Sequence, residues 1–156
     1  MTEREALEAL RGDDPAEAAR AAETLWLMWH RSGDPRLDRL LRDGIDAMER
    51  EDLVAAEATF TRLIEDAPEF AEGWNKRATV RYLAGDYEGS VADCRETLER
   101  NPSHFGALSG QGLCHFMLRQ FREAALLFRR ALAVHPHLDG ARGNLWKAEA
   151  EIAKLN

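Results

Sequence analysis

At 156 residues the chain is long enough for one domain with a buried core. Its 28 acidic and 21 basic side chains give a net charge of -7, which argues against a general nucleic-acid binder, because phosphate affinity is built from accumulated cationic charge. Two cysteines do not make a disulfide scaffold, and no apolar run approaches the roughly 18 residues that span a bilayer. The first ten residues are charged and alternating, unlike an export leader. The expected compartment is therefore the cytoplasm, or the periplasm if an export signal has been removed.

In chain order, Thr2 can cap a short helix that runs to Leu10 and ends at Gly12, Asp13 and Asp14. Pro15 suits the first turn of a second helix to about Arg31, with Ala18, Ala22, Leu25, Trp26 and Trp29 as its apolar stripe. Ser32 to Pro35 break it. This N-terminal pair, residues 1–36, reads as a worn helical pair that covers the first repeat, with Trp26 and Trp29 either buried in that cap or exposed as a partner anchor.

From there a 34-residue period takes over. Pro68, Pro102 and Pro136 form one ladder, and Gly44, Ala78 and Gly112 another. Phe60, Cys94 and Phe128, then Ala56, Ser90 and Ala124, and Leu40, Trp74 and Leu108 keep the same register. Such a period with two helical patterns per unit signals a helical repeat array. The units are 37–70, 71–104 and 105–138, each a helix pair closed by proline, which cannot continue the helical ladder. Gly85-Asp86-Tyr87 makes the tight turn of the clearest unit. Residues 139–156 form a closing helix with Leu145, Trp146, Ala148 and Ile152 on its apolar side and Lys147, Glu151 and Lys154 on its polar one.

The pattern resembles the tetratricopeptide repeat (TPR) family. It is carried by Trp74, Ala78, Tyr82, Ser90, Cys94 and Pro102, by Leu40, Gly44, Ala56, Phe60 and Pro68, and by Leu108, Gly112, Ala124, Phe128 and Pro136. The strings from Glu72 to Thr79 and from His104 to Gly110 look like those of short stand-alone bacterial TPR proteins. The resemblance implies an all-α, right-handed α-solenoid of helix-turn-helix repeats with terminal capping helices. It implies an adaptor or scaffold that binds a peptide or helix of another protein in a concave groove. The family's chaperone clamp, a set of Lys, Asn and Arg that holds C-terminal carboxylates, is not matched: Leu41, Ile45, Gly106 and Gly110 stand at its places, with Lys76 alone fitting.

In such an array the first helix of each pair lines the groove, and residues at i, i+3, i+4 and i+7 share its face. The expected lining is Asn75, Lys76, Thr79 and Tyr82 in the second unit. In the third it is Ser109, Gly110, Leu113, Phe116 and Met117, with Asn144 from the closing helix. Gly106 and Gly110, opposite Gly140 and Gly143, either permit close helix packing or leave a recess for a bulky partner group; each glycine costs a helix interior about 1 kcal/mol.

No catalytic constellation, cofactor motif or metal-ligand spacing is present, although His104, His135 and His137 can gather along one edge. A second reading comes from charge. Residues 1–70 hold 18 acids and 9 bases, whereas residues 105–138 hold one acid and four arginines. A homo-oligomer that joins the acidic N-terminal half of one copy to the basic third repeat of another would use that asymmetry.

Overall fold

The computed structural model describes all 156 residues as nine helices and no strand. These are α1 (Glu3–Leu10), α2 (Pro15–Trp29), α3 (Pro35–Glu49), α4 (Leu53–Asp66), α5 (Ala71–Leu83), α6 (Tyr87–Arg100), α7 (Phe105–Met117), α8 (Phe121–Val134) and α9 (Asp139–Lys154). They form two compact units, one of residues 31–102 and the other of residues 1–30 with 103–156.

Three hairpins, α3–α4, α5–α6 and α7–α8, close in the same way. Glu51, Gly85 and Arg119, 34 residues apart, all take the left-handed conformation, with φ of 62°, 83° and 61°. Around each, two backbone bonds seal the end of the first helix. In α3, Glu51 N–H donates to the carbonyl of Met48 and Asp52 N–H to that of Ala47. Gly85 to Tyr82 and Asp86 to Arg81 repeat this, as do Arg119 to Phe116 and Gln120 to His115. This Schellman pairing satisfies carbonyls that a helix end leaves orphaned. Asp52 and Asp86 then turn their carboxylates onto the N–H groups of Ala55 and Gly89, at 3.1 and 2.9 Å, and so start the next helix.

Within each hairpin, residues 16 apart face one another. A Cβ on Gly112 would sit 2.6 Å from the Phe128 ring, and one on Gly44 would collide with the Phe60 ring. Both phenylalanines are fully buried. The middle hairpin solves the same contact differently, with Ala78 opposite the smaller Cys94, both buried. The core of unit 31–102 gathers Leu41, Ala47, Ala56, Phe60, Leu63 and Val80.

In the other unit, α1 and α2 bury Ala6, Leu10, Ala21 and Leu25 against Phe105 and Val134. The N-terminal pair thus docks on the α7–α8 hairpin, a hundred residues downstream, whereas the 34-residue register had aligned it with the first repeat. Its buried stripe is Ala18, Ala21 and Leu25, and Trp26 lies outside it, 52% exposed and stacked on His30 at 3.9 Å. Trp29 is half-buried, stacked on His104 at 4.9 Å, with its indole N–H on Glu3 at 2.9 Å. Trp26 was expected on that stripe; a step of about 100° per residue puts Ala21 and Leu25 inward, keeps Ala22 against their cluster and turns Trp26 away. On α9 the inward residues are Ala141 and Ala148, and Trp146, expected on the apolar side, is 72% exposed.

The close approach predicts a specific coupling. Gly112→Ala should destabilise the chain by about 1–3 kcal/mol through overpacking. In a background carrying Phe128→Cys, which copies the middle hairpin, the same substitution should cost about 1 kcal/mol less. Urea denaturation of the four proteins in that cycle measures the difference.

Candidate partner-binding face

In unit 31–102, α3 and α5 lie side by side, and α5 carries the four expected lining residues. Thr79 is exposed, and Asn75, Lys76 and Tyr82 are half-buried. Their polar groups are largely committed. Glu72, 1% exposed, accepts from Asn75 Nδ2 at 2.8 Å and pairs with Lys76 Nζ at 3.5 Å. The Thr79 hydroxyl donates to the carbonyl of Asn75 at 3.2 Å, and Tyr82 meets Tyr87 edge-on at 5.5 Å. Asp38 of α3 is also engaged: Ser32 donates to it from its hydroxyl and its backbone N–H, at 2.6 and 2.9 Å. The hydroxyl first, and then the backbone, hold that carboxyl below its ordinary pKa.

Behind this face sits a cluster that the repeat pattern did not reveal. Arg77 grips Asp93 with both arms of its guanidinium, at 2.9 and 2.8 Å, and reaches Thr61 at 3.3 Å. Arg81 adds a bond to Asp93 at 3.1 Å and another to Glu57 at 2.7 Å. The Asp93 side chain is 3% exposed and that of Arg77 13%. A readable signal did exist, because Arg77 and Asp93 stand 16 apart, the spacing at which hairpin residues face each other. Trp74 lies under two of the arginines, with Arg100 and Arg77 at 4.8 and 5.3 Å from its ring centre.

In the other unit, α7 and α9 lie side by side and carry the remaining candidates. Ser109, Gly110, Leu113, Phe116 and Asn144 are half-buried, and Met117 is 47% exposed. Phe116 leans on Phe121 edge-on at 5.2 Å. The glycines expected to act together have different reasons. A Cβ on Gly106 would press on the His104 ring at 3.1 Å, and that ring caps α7 by accepting from Ala107 N–H at 3.0 Å. Gly140 and Gly143 have no heavy atom within 4 Å of where a Cβ would stand, so close packing does not require them. The three histidines of the edge divide: His104 lies under Trp29, and His135 and His137 are 6.4 Å apart. No group of three or more His, Cys, Asp or Glu is placed to hold a metal ion, and no helix is long and apolar enough to cross a membrane.

Helix hairpins repeated at 34 residues and closed by one turn geometry define a helical-repeat protein. The tetratricopeptide repeat model matches residues 41–104 and 84–137, more than half of the chain, which therefore belongs to the tetratricopeptide repeat family. A TPR repeat-containing protein of Rhizobium etli is 36% identical over 100 residues, which is 64% of this chain and 49% of that protein. The Protein SGT1 homolog of Bos taurus is 33% identical over 90 residues, 58% of this chain and 27% of that one. The chain thus spans about half, or less, of the length of these relatives. Among solved structures, the first TPR of Spaghetti (RPAP3) bound to the HSP90 peptide SRMEEVD superposes with a TM-score of 0.74 at 21% identity, over 75% of this chain and 93% of that one. The Sgt2 TPR domain from Aspergillus fumigatus gives 0.76 at 22%, over 79% and 83%. At these identities the likeness is one of fold.

Asp93→Ala should lower stability by about 3 kcal/mol or more, because it strands the Arg77 guanidinium in a mostly desolvated place without its carboxylate. Thermal and urea unfolding check this, and far-UV circular dichroism should remain helical at low temperature.

Proposed function

We propose that this chain is a non-catalytic adaptor that holds an amphipathic helix or extended peptide of another protein on the exposed faces of its first helices. The observation that carries the reading is on α7 and α9. Leu113, Phe116 and Met117 remain partly or largely exposed there, beside a helix whose Gly140 and Gly143 stand in open space. Exposed apolar groups beside missing side chains suit an occupant that brings its own apolar anchors. A TPR domain of like fold was solved with an HSP90 peptide, which favours a peptide as the kind of occupant. Capture of a terminal carboxylate is disfavoured here, since Lys76 is already paired with Glu72 and the positions at Gly106 and Gly110 carry no side chain. Ser109, Gly110 and Asn144 border the apolar groups.

Self-association is a second reading, favoured by α8. Arg122 and Arg130 are exposed and make no ion pair, on either side of Leu126, which is 58% exposed. An acidic helix face of a second copy would complement them.

Two experiments separate the readings. Gly110→Trp and Phe116→Ala, made singly and confirmed as folded by circular dichroism, should each weaken a partner recovered by affinity capture from the native host at least tenfold. Equal recovery by both variants would remove the binding face from α7. Under self-association, light scattering should show a mass above the monomer at low ionic strength that falls to the monomer with added salt or with Arg122→Glu/Arg130→Glu. A monomer throughout rejects it.

A further inference from the structure

We propose that the N-terminal helical pair α1–α2 is a latch on the α7–α8 hairpin that opens in acid, with His135 as the group that releases it. The contact is built from aromatic and imidazole rings. Trp29 of α2 stacks on His104 and tilts against Phe105 at 5.3 Å, and Phe105 meets His135 edge-on at 5.0 Å. His137 donates from Nε2 to the carbonyl of Gly12, at 2.7 Å, tying the α1–α2 link to the segment before α9. Between α2 and that segment runs a cleft of about 550 Å³ lined by Pro15, Ala19, Ala22, His135, His137 and Asp139.

His135 is 8% exposed, and its Nδ1 is shut off from solvent with no hydrogen-bond partner. A neutral ring tolerates this, since an unpaired nitrogen lone pair leaves no charge unsolvated. A protonated ring would bury a charged N–H without an acceptor. The groups that face it offer little relief. The α2 residues on the cleft are Pro15, Ala19 and Ala22, without charge. On α7 its neighbour is Phe105, with the His104 ring beyond it under Trp29; on its own segment it is His137; on α9 it is Asp139, the one carboxylate. Burial first, and then the charge of His137, hold the His135 pKa below the ordinary imidazole value, against a smaller opposing pull from Asp139.

A group whose pKa is depressed in the docked state stabilises docking above its free pKa and loses that contribution as pH falls through the depressed one. Acid therefore favours the undocked pair, in which His135 reaches water. Release would uncover Phe105 and Val134 on the hairpin and Leu25 and Trp29 on α2.

Hydrogen exchange of the full chain, normalised for intrinsic rates, tests this between about pH 7.5 and about pH 5, which brackets the ordinary imidazole pKa. Protection of α1 and α2 should fall severalfold in acid while α3 to α6 keep theirs. His135→Gln and His135→Leu should remove that pH dependence, and His137→Gln should lower protection at both pH values without removing it. Should the His135 variants fail to dock at neutral pH, the imidazole resonances of the parent decide. His135 must then titrate over the pH range in which α1–α2 protection is lost. Unchanged protection in acid, a pH response that survives both His135 variants, or a His135 titration outside that range would each overturn the proposal.

Discussion

The structure depends on how closely the two helices of a hairpin can approach. At the facing positions 16 residues apart, one side must be almost bare so that the other can be large: Gly44 under Phe60 and Gly112 under Phe128. Such a contact fixes both the distance between the helices and their rotation, because a ring seated on a bare backbone has nowhere else to go. The middle hairpin divides the same volume as Ala78 and Cys94 and buries less apolar surface there. It is also the hairpin with the buried Arg77–Asp93 pair one position before. Ion pairs out of water are poor sources of stability but costly to break. The pair therefore fixes the register of α5 on α6 more than it strengthens their packing.

The turns show the same economy. Each hairpin needs a left-handed residue, and only the middle one uses glycine; Glu51 and Arg119 adopt that conformation at about 1–2 kcal/mol against their own preference. They are held there because the Schellman bonds on either side fix the backbone. The residue after the turn then starts the next helix where it is Asp52 or Asp86. Where it is Gln120, its side chain accepts from His115 Nδ1 at 2.6 Å and caps nothing. One backbone shape thus accommodates three side-chain solutions.

These features explain what the sequence disclosed. Period, hairpins, turns and the bare positions were legible, because each is set by contacts between residues a fixed distance apart. Trp26 was misplaced on the inner stripe of α2 for the converse reason. Trp26 falls on the 34-residue register, but α2 packs on Phe105 and Val134, to which no periodicity points. Glu72 was invisible for another reason. A carboxylate in a helix reads as solvated, and only its position among Asn75, Lys76 and the surrounding chain buries it. The candidate face was legible as a set of positions, while the commitment of Asn75, Lys76 and Thr79 to internal bonds was not.

That commitment follows one register position. Residues 38, 72, 106 and 140 are equivalent, and they run Asp, Glu, Gly, Gly. In the unit of residues 31–102 the two acids draw nearby donors onto themselves, Ser32 onto Asp38 and both Asn75 and Lys76 onto Glu72. The first-helix face there is polar but internally satisfied, and a partner would have to break bonds to use it. In the other unit the position carries no side chain. What α7 offers in its place is Leu113, Phe116 and Met117, which have no polar bonds to lose and gain by leaving water. Asp or Glu at one repeated position thus goes with first-helix polar groups that are bonded internally, and Gly there with apolar groups that stay partly exposed.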